Sequence, residues 1–126
     1  MTFAYWCVLI AGLLPYFSVV LAKWGRGYDN HNPRDWLARQ EGRKKRAYHA
    51  HLNAFEAFPF FAAGVIIAQQ CQSSQSIVDG LAGIFIVMRI VYLWCYISDW
   101  ASLRSLIWMI GFASTIGLFI AAGLAR

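Results

Sequence analysis

The chain has 126 residues, of which 60% are hydrophobic and only 13% are charged. This composition is too apolar for an ordinary soluble domain of this size and indicates an integral membrane protein. The net charge of +5 is concentrated in one segment, a pattern typical of a membrane topology signal or of contact with anionic lipid, so nucleic acid is not expected as a partner.

The apolar residues fall into four segments that predict four transmembrane helices. The first span covers residues 3–22 and the fourth covers residues 104–125, and apart from Arg104 neither contains a charged residue. Each is long enough to cross about 30 Å of hydrocarbon at a rise of about 1.5 Å per residue. The second and third spans, residues 47–70 and 77–97, contain embedded polar groups. We predict one all-α membrane domain, a four-transmembrane-helix bundle, over all 126 residues.

The connection between the first two spans, residues 23–46, is a basic loop that carries eight of the eleven Lys and Arg residues. By the positive-inside rule, this loop lies in the cytoplasm and both termini lie outside. Because no Lys or Arg precedes Lys23, the first span lacks the basic start of a cleaved signal peptide, and we expect it to be retained. Turn formers in Tyr28–Arg34 predict an irregular stretch, and Trp36–Lys45 is compatible with a short surface helix.

Cysteine and histidine spacing does not support a disulfide framework or a metal site. Cys7, Cys71 and Cys95 are odd in number and widely separated, which favours roles as small buried hydrophobic residues. His49 and His51 are two residues apart, so on a helix their side chains point about 200° apart and one ion cannot easily bind both. We therefore expect no metal.

The start of the second span carries four polar residues at 3-4-3 spacing: Arg46, His49, Asn53 and Glu56. This spacing places them within an arc of about 80° on one face of a helix. Polar groups at this depth are unfavourable unless they face protein, water or ligand, and ionisable groups inside a membrane are functional candidates. This helix face is therefore the first candidate site.

A matching series at the end of the third span has the same spacing and consists of Arg89, Tyr92, Tyr96 and Asp99. If the second and third spans are antiparallel, the two series form four polar rungs: Arg46 with Asp99, His49 with Tyr96, Asn53 with Tyr92, and Glu56 with Arg89. The structural alternative is a buried ion pair that only fixes helix register. The polar groups exceed what such a pair requires, so we predict a cleft, open towards the basic side, for a small polar anionic molecule.

The segment Arg46–Phe61, with the sequence RAYHAHLNAFEAFPFF, resembles the second-helix signature of the MAPEG family (membrane-associated proteins in eicosanoid and glutathione metabolism). The family pattern is Arg, then Ala-x-x-Asn-x-x-Glu, then commonly Phe-Pro, and the matching positions are Arg46, Ala50, Asn53, Glu56, Phe58 and Pro59. The string from Arg89 to Tyr96 resembles the Arg-x-x-Tyr-x-x-x-Tyr series of the leukotriene C synthase branch. Tyr28–Arg34 resembles the bacterial branch, which implies a bacterial inner membrane.

The resemblance implies a homotrimer of four-helix subunits that binds glutathione near the cytoplasmic membrane face, between neighbouring subunits. It also implies a transferase or peroxidase that uses the bound thiolate against a lipophilic electrophile. The binding residues that it implies are Arg46, His49, His51, Asn53, Glu56, Arg89, Tyr92 and Tyr96. His51 matches a position that contacts glutathione from the adjacent subunit in some members, with interfacial packing as the alternative. Lys23 or Arg26 is either a further carboxylate contact or a membrane anchor.

The resemblance assigns thiol activation to Arg104, because Leu103-Arg104 is close to the thiol-activating Arg of the same branch. The neutral thiol is a poor nucleophile, and an unperturbed cysteine thiol has a pKa of about 8.5. A fixed positive charge at the start of the fourth span, together with the partial charge of a helix N-terminus, favours a bound thiolate. The alternative for Arg104 is a topology anchor at the membrane boundary.

Two positions depart from the family pattern. His49 stands where glutathione-using members usually have a second Arg, and Lys45 stands where they usually have a Glu. A histidine only weakly replaces the bidentate clamp of an arginine. The main alternative function is therefore a non-catalytic membrane protein of the same fold that binds a lipid or another lipophilic small molecule. A small multidrug transporter is less consistent, because the first span has no acidic residue and the charge bias is strong.

Overall fold

The computed structural model describes residues 1–125. Within these residues there are five α-helices: α1 (Phe3–Lys23), α2 (Pro33–Ala38), α3 (Gly42–Gln70), α4 (Gln75–Ile97) and α5 (Ala101–Leu124). Four of them, α1, α3, α4 and α5, are long and apolar enough to cross a membrane. The prediction of an all-α protein with four spanning helices is therefore confirmed. A helix satisfies its backbone hydrogen bonds internally, which is why apolar segments in lipid adopt it.

The basic connection differs from the prediction in its helix boundaries. α2 begins at Pro33, which suits the first turn of a helix because a proline has no N–H to leave unpaired. The prediction of one surface helix over Trp36–Lys45 is wrong, since α2 ends at Ala38 and α3 begins at Gly42. Gly42 has a φ of 61°, a left-handed conformation that glycine adopts readily. The chain turns there, so the helix of the second span starts inside the predicted basic loop.

The long helices pack closely in the half of the bundle that lies far from this loop. α1 packs along α3, α4 packs along α5, and α3 also contacts α4 and α5. Small buried residues of α1, Ala4, Cys7 and Ala11, allow the close approach. The rings of Phe61 in α3 and Phe85 in α4 stack with their centroids 3.8 Å apart in this core. The packing sets the register of α3 against α4.

The opposite end of the bundle, which we call the basic end, contains α2, the C-terminal ends of α1 and α4, and the N-terminal ends of α3 and α5. Trp36 of α2 is buried against Ala22 of α1 and Ala47 of α3. Its ring lies edge-on to that of Tyr28, with centroids 5.1 Å apart, and 5.3 Å from Lys44 Nζ. Aromatic and cation–π contacts of this kind hold α2 against the spanning helices.

All three cysteines are free thiols in the described part of the chain. Cys7 and Cys95 are buried, in agreement with the predicted role of a small hydrophobic residue, whereas Cys71 is exposed between α3 and α4. Among residues 1–125, no group of three or more His, Cys, Asp or Glu side chains is arranged to hold a metal ion.

At the end of the bundle far from α2, Asp79 of α4 closes the start of α1. Its Oδ1 accepts hydrogen bonds from the backbone N–H of Ala4, at 2.9 Å, and from Gln75 Nε2, at 2.8 Å. The first N–H groups of a helix have no partner within it, so this carboxylate caps α1 and ties it to α4. We expect Asp79→Ala to lower the free energy of unfolding by about 1–2 kcal/mol, measured by denaturant unfolding in detergent.

Two variants serve as controls for this capping role. Asp79→Asn keeps an oxygen acceptor and is expected to lose less stability than Asp79→Ala. Asp29→Ala is the matched aspartate control, because the Asp29 carboxylate accepts from the backbone N–H of His31 within an exposed turn. Equal stability of Asp79→Ala and Asp29→Ala would contradict the proposed tie between α1 and α4.

Candidate functional site

A cavity of about 150 Å³ lies between α3, α4 and α5. Its polar wall is formed by Asn53, Glu56, Arg89 and Tyr92, all members of the two predicted polar series. Thr115 adds a hydroxyl from α5. Most of the remaining wall is apolar, and its large side chains are Phe60, Phe85, Met88, Ile107, Trp108 and Phe112.

A second depression, of about 240 Å³, adjoins this cavity on the side of the basic end. Its lining is His49, Leu52, Asn53, Glu56, Tyr92 and Tyr96, so three residues line both spaces. We call the two spaces together the polar cleft. The 3-4-3 spacing keeps each polar series on one helix face, and the packing of α3 against α4 turns those faces towards each other. The prediction that side chains of the second and third spans converge in one cleft is confirmed.

Arg89 is the buried charge of the cleft, with only 7% of its surface exposed. Its Cζ lies 4.4 Å from the centroid of the Tyr92 ring, one turn along the same helix. Glu56 and Arg89 line the same cavity, but the pair does not reach the 4.0 Å nitrogen-to-oxygen distance of a salt bridge. The predicted rung of Glu56 with Arg89 is therefore wrong as a direct ion pair. The guanidinium instead stacks on the nearer aromatic face of Tyr92.

Asn53 lines both spaces of the polar cleft, and its amide group is incompletely hydrogen-bonded. Its Nδ2 is 3.4 Å from Glu56 Oε2, while its Oδ1 is buried without a hydrogen-bond partner. The direct rung of Asn53 with Tyr92 is therefore wrong, although both residues line the same space. A buried unpaired acceptor is unfavourable by about 1–3 kcal/mol. Such an acceptor in a cleft is suited to receive an N–H from a ligand.

Three aromatic rings line the cleft towards the basic end. The rings of His49 and Tyr96 are 6.4 Å apart and edge-on, so this predicted rung is present as a ring contact. The rings of Tyr92 and Tyr96 are 5.7 Å apart and also edge-on. This packing holds the two tyrosines on the α4 wall of the cleft.

Arg46 does not pair with Asp99, so this rung is also wrong. Its Nε donates to the carbonyl oxygen of Ile97 at 3.2 Å. α4 ends at Ile97, and the last carbonyls of a helix have no partner within it, so they attract the nearest donor. Asp99 instead occupies the exposed turn after α4 with a φ of 62°. Arg46 therefore ties the start of α3 to the end of α4 just outside the cleft.

Arg104 lies in the first turn of α5, beside the cleft. Its Cζ is 4.4 Å from the centroid of the Tyr96 ring. α5 begins at Ala101, so the partial positive charge of its N-terminus acts in the same region. The structure thus brings a guanidinium and a helix N-terminus next to a residue that lines the cleft.

His51 lies on another face of α3, away from the polar cleft of its own chain. Its Nδ1 is 2.5 Å from the carbonyl oxygen of Pro15 in α1. It lines a depression of about 580 Å³ together with Lys23 and Arg34. Arg26 is exposed to solvent. Of the two basic residues proposed at the end of the first span, Lys23 is the one that shares a depression with His51.

The α5 wall of the cavity was not predicted from the sequence. Trp108, Phe112 and Thr115 line it at intervals of four and three residues, so they share one face of α5. Trp108 and Phe112 stack with centroids 5.1 Å apart, and Phe60 lies 5.9 Å from Phe112. Apart from Arg104 the fourth span has no charged residue and only isolated hydroxyl side chains, so polarity did not mark this face. The four-residue interval between the two aromatic residues was the available signal.

These features define a small integral membrane protein of four spanning helices with a polar cleft beside the basic end of the bundle. A sequence model of the MAPEG family matches residues 3–124, nearly the whole chain. The chain therefore belongs to the MAPEG family, which indicates a membrane protein of glutathione-related transferase or synthase type. Searches of curated proteins and of solved structures find no significant match.

Proposed function

We propose that this MAPEG protein is a glutathione-dependent transferase or peroxidase that binds glutathione in the polar cleft and activates its thiol. The observation that carries the proposal is the convergence of Asn53, Glu56 and Tyr92 in one cleft with Arg104 stacked on Tyr96 beside it. Ionisable groups inside a membrane bundle are unfavourable unless they serve a ligand or a partner. Their number here fits a ligand with several polar groups.

The polar groups of glutathione match the chemistry of the cleft. Its ammonium group pairs with the carboxylate of Glu56, and one of its amide N–H groups donates to the unpartnered Oδ1 of Asn53. The hydroxyls of Tyr92 and Tyr96 donate to its oxygen atoms, and His49 faces a carboxylate. This assignment satisfies the buried amide oxygen that is otherwise unpaired.

The two arginines on either side of these groups favour an anionic ligand. Arg89 is a fixed buried cation in the wall of the cavity. Arg46, held at the end of α4 by Ile97, orients a carboxylate at the mouth of the cleft. Together they give the cleft a positive potential although Glu56 lines it.

We propose a homotrimer in which a neighbouring subunit completes each cleft. His51 and Asn53 are two residues apart on α3, so their side chains point about 200° apart. A closed ring of copies therefore places the α1–α3 face of one chain, with His51 and either Lys23 or Arg26, against the cleft of the next. Native mass spectrometry in detergent that gave the mass of a dimer would contradict this arrangement.

The proposed reaction begins with the thiolate of bound glutathione. Arg104 and the N-terminus of α5 stabilise this thiolate beside Tyr96. The sulfur attacks an electrophilic carbon of the second substrate, a carbon–sulfur bond forms, and the leaving group departs with the bonding electron pair. The apolar wall around Trp108 and Phe112 provides a path for a lipophilic substrate that enters from the bilayer.

We propose that the protein lies in a bacterial inner membrane, with the basic end of the bundle on the cytoplasmic side and both termini on the opposite side. The concentration of Lys and Arg in the first connection supports this orientation. In this orientation the polar cleft lies near the cytoplasmic surface, where a soluble peptide ligand has access.

A calorimetric titration of the purified protein with reduced glutathione in detergent tests the proposal, and saturable binding is expected. The informative variant is Asn53→Leu, which preserves side-chain shape but removes both hydrogen-bonding groups. We expect it to weaken glutathione binding about tenfold. We also expect little loss in the free energy of unfolding, because the Oδ1 atom has no partner to lose and the Nδ2 atom loses only a long, 3.4 Å contact to Glu56. A structural asparagine would show the reverse pattern.

Two outcomes of this titration would be decisive. A wild-type protein that does not bind glutathione would refute the proposed function. Unchanged affinity combined with lower stability in Asn53→Leu would assign Asn53 to the fold and not to the ligand.

A non-catalytic protein that binds a lipid or another lipophilic molecule is the second candidate function. The observation that favours it is the largely apolar wall of the cavity, where Phe60, Trp108 and Phe112 are in ring contact. Titration with a long-chain fatty acid in parallel with glutathione separates the two. Binding of the fatty acid without binding of glutathione identifies this second function.

A further inference from the structure

A separate groove, which we call the boundary groove, lies at the basic end on the α1–α4 side of the bundle. It has a volume of about 500 Å³. Leu21 and Trp24 contribute from the end of α1, Arg43 contributes from the start of α3, and Ile90 and Trp94 contribute from α4. Arg43 lies in the first turn of α3 and Trp24 directly follows α1, so the groove lies where these two helices end.

The boundary groove is distinct from the polar cleft. The α4 residues that line it are Ile90, Leu93, Trp94 and Ile97, which have the spacing of one apolar helix face. The α4 residues of the polar cleft are Arg89, Tyr92 and Tyr96. At 100° per residue, the two faces are centred about 120° apart. A ligand in the boundary groove therefore does not compete with one in the cleft.

Two tryptophans flank the boundary groove and are largely uncovered within the chain. Trp24 is 74% exposed and Trp94 is 66% exposed. Indole rings are enriched where hydrocarbon meets the headgroup region, because they are apolar with one N–H donor. Their positions indicate that the groove spans this boundary, with its apolar part facing acyl chains.

The polar part of the boundary groove is cationic. Arg43 is the charged side chain of its lining, and Ser98 adds a hydroxyl beside the end of α4. A guanidinium presents a planar fork of donors that matches the oxygens of a phosphate. An apolar trough that ends at a guanidinium is complementary to an amphipathic anion.

We propose that the boundary groove binds one anionic phospholipid, with an acyl chain against Leu21, Ile90 and Trp94 and its phosphate at Arg43. A soluble anion makes no use of the apolar wall, and a lipid without net charge does not neutralise the guanidinium. Basic residues on the cytoplasmic side of spanning helices attract anionic lipid in this way. This site is independent of the proposed glutathione reaction.

Lipid retention measured by native mass spectrometry tests the proposal. The purified protein is incubated with equal amounts of phosphatidylglycerol and phosphatidylcholine that have identical acyl chains. We expect wild type to retain phosphatidylglycerol preferentially, and Arg43→Ala to reduce this preference about fivefold. Lys45→Ala is the matched control, because Lys45 is an exposed neighbour in the same basic run outside the groove. It is expected to keep the wild-type preference.

A second variant tests the groove itself and does not depend on the charge. Ile90→Trp fills the trough at a position that is 50% exposed in the chain and leaves Arg43 in place. It is expected to lose the retained lipid, whereas Ile84→Trp, an exposed α4 position outside the groove, is expected to keep it. Unchanged retention in Ile90→Trp, equal losses in Arg43→Ala and Lys45→Ala, or displacement of the lipid by inorganic phosphate would each overturn the proposal.

Discussion

Arg104→Ala is expected to abolish the ultraviolet absorbance of the thiolate form of glutathione bound as proposed, while the protein remains folded. Without help, a cysteine thiol has a pKa of about 8.5 and is mostly neutral at pH 7. Arg104 provides the fixed charge nearest to Tyr96, with a distance of 4.4 Å from Cζ to the ring centroid. Once this charge is removed, the partial charge of the α5 N-terminus alone is too small to keep the thiol ionised.

The same substitution is expected to lower the rate of conjugation about 100-fold, the scale of losing one preorganised electrostatic contact. Affinity for glutathione is expected to change much less, because Asn53, Glu56 and Tyr92 line the cleft without Arg104. The measurement is therefore paired: the thiolate absorbance at saturating glutathione, and a calorimetric titration of the same sample.

Two controls separate thiol activation from a general effect of positive charge. Arg104→Lys keeps the charge but loses the planar stacking on Tyr96, so a partial thiolate signal is expected. Arg39→Ala removes another basic residue of the basic end, at the exposed end of α2, and is expected to leave the signal at the wild-type level. A full thiolate signal in Arg104→Ala would remove this residue from the mechanism and leave it as a membrane anchor.

The sequence predicted the helices and the cleft because both depend on spacing within one helix. Hydrocarbon requires a helical backbone, so run length and polarity located four spans. The 3-4-3 spacing then placed His49, Asn53 and Glu56 on one face of α3, and Tyr92 and Tyr96 on one face of α4. The structure places both faces against the same cleft.

The individual contacts across the cleft were less predictable, because a closer partner can replace a distant one. Arg46 bonds to the free carbonyl of Ile97, and Arg89 stacks on Tyr92 of its own helix. The opposite-charge partners assigned from the sequence, Asp99 and Glu56, form no salt bridge with these arginines. The prediction paired residues only by the sign of their charge. It did not consider the free carbonyl groups at helix ends or the faces of aromatic rings, which compete for the same guanidinium groups.

The conformation of the basic connection also depended on a property that hydrophobic periodicity does not measure. The run of Lys and Arg before the second span was assigned to a surface segment because it is polar. The chain instead turns at Gly42, which has a positive φ, and α3 begins there, ahead of that run. The run of basic residues therefore lies in the first turns of α3, and Arg43 and Arg46 project from this helix at fixed positions.

Exchange of the charges of Glu56 and Arg89 is expected to restore part of the stability that each single reversal loses. Glu56→Arg places a second cation beside a guanidinium that is only 7% exposed, and Arg89→Glu places a second carboxylate in the same wall. Like charges that line the same cavity repel each other, and the burial of Arg89 limits screening of this repulsion by solvent. We therefore expect both single variants to unfold at lower denaturant concentration in detergent and to give less monodisperse protein.

The double variant, Glu56→Arg with Arg89→Glu, is expected to recover only part of this loss. The two groups line the same cavity but lie beyond salt-bridge distance, and an exchanged glutamate cannot stack on Tyr92 as the guanidinium does. Glu56→Gln is the neutral control and is expected to lose less stability than Glu56→Arg, because it adds no like charge. A double variant that is no more stable than the weaker single variant would show that the two positions are not coupled. Arg89 would then be stabilised by Tyr92 and the helix packing alone, and Glu56 would be free to serve the ligand.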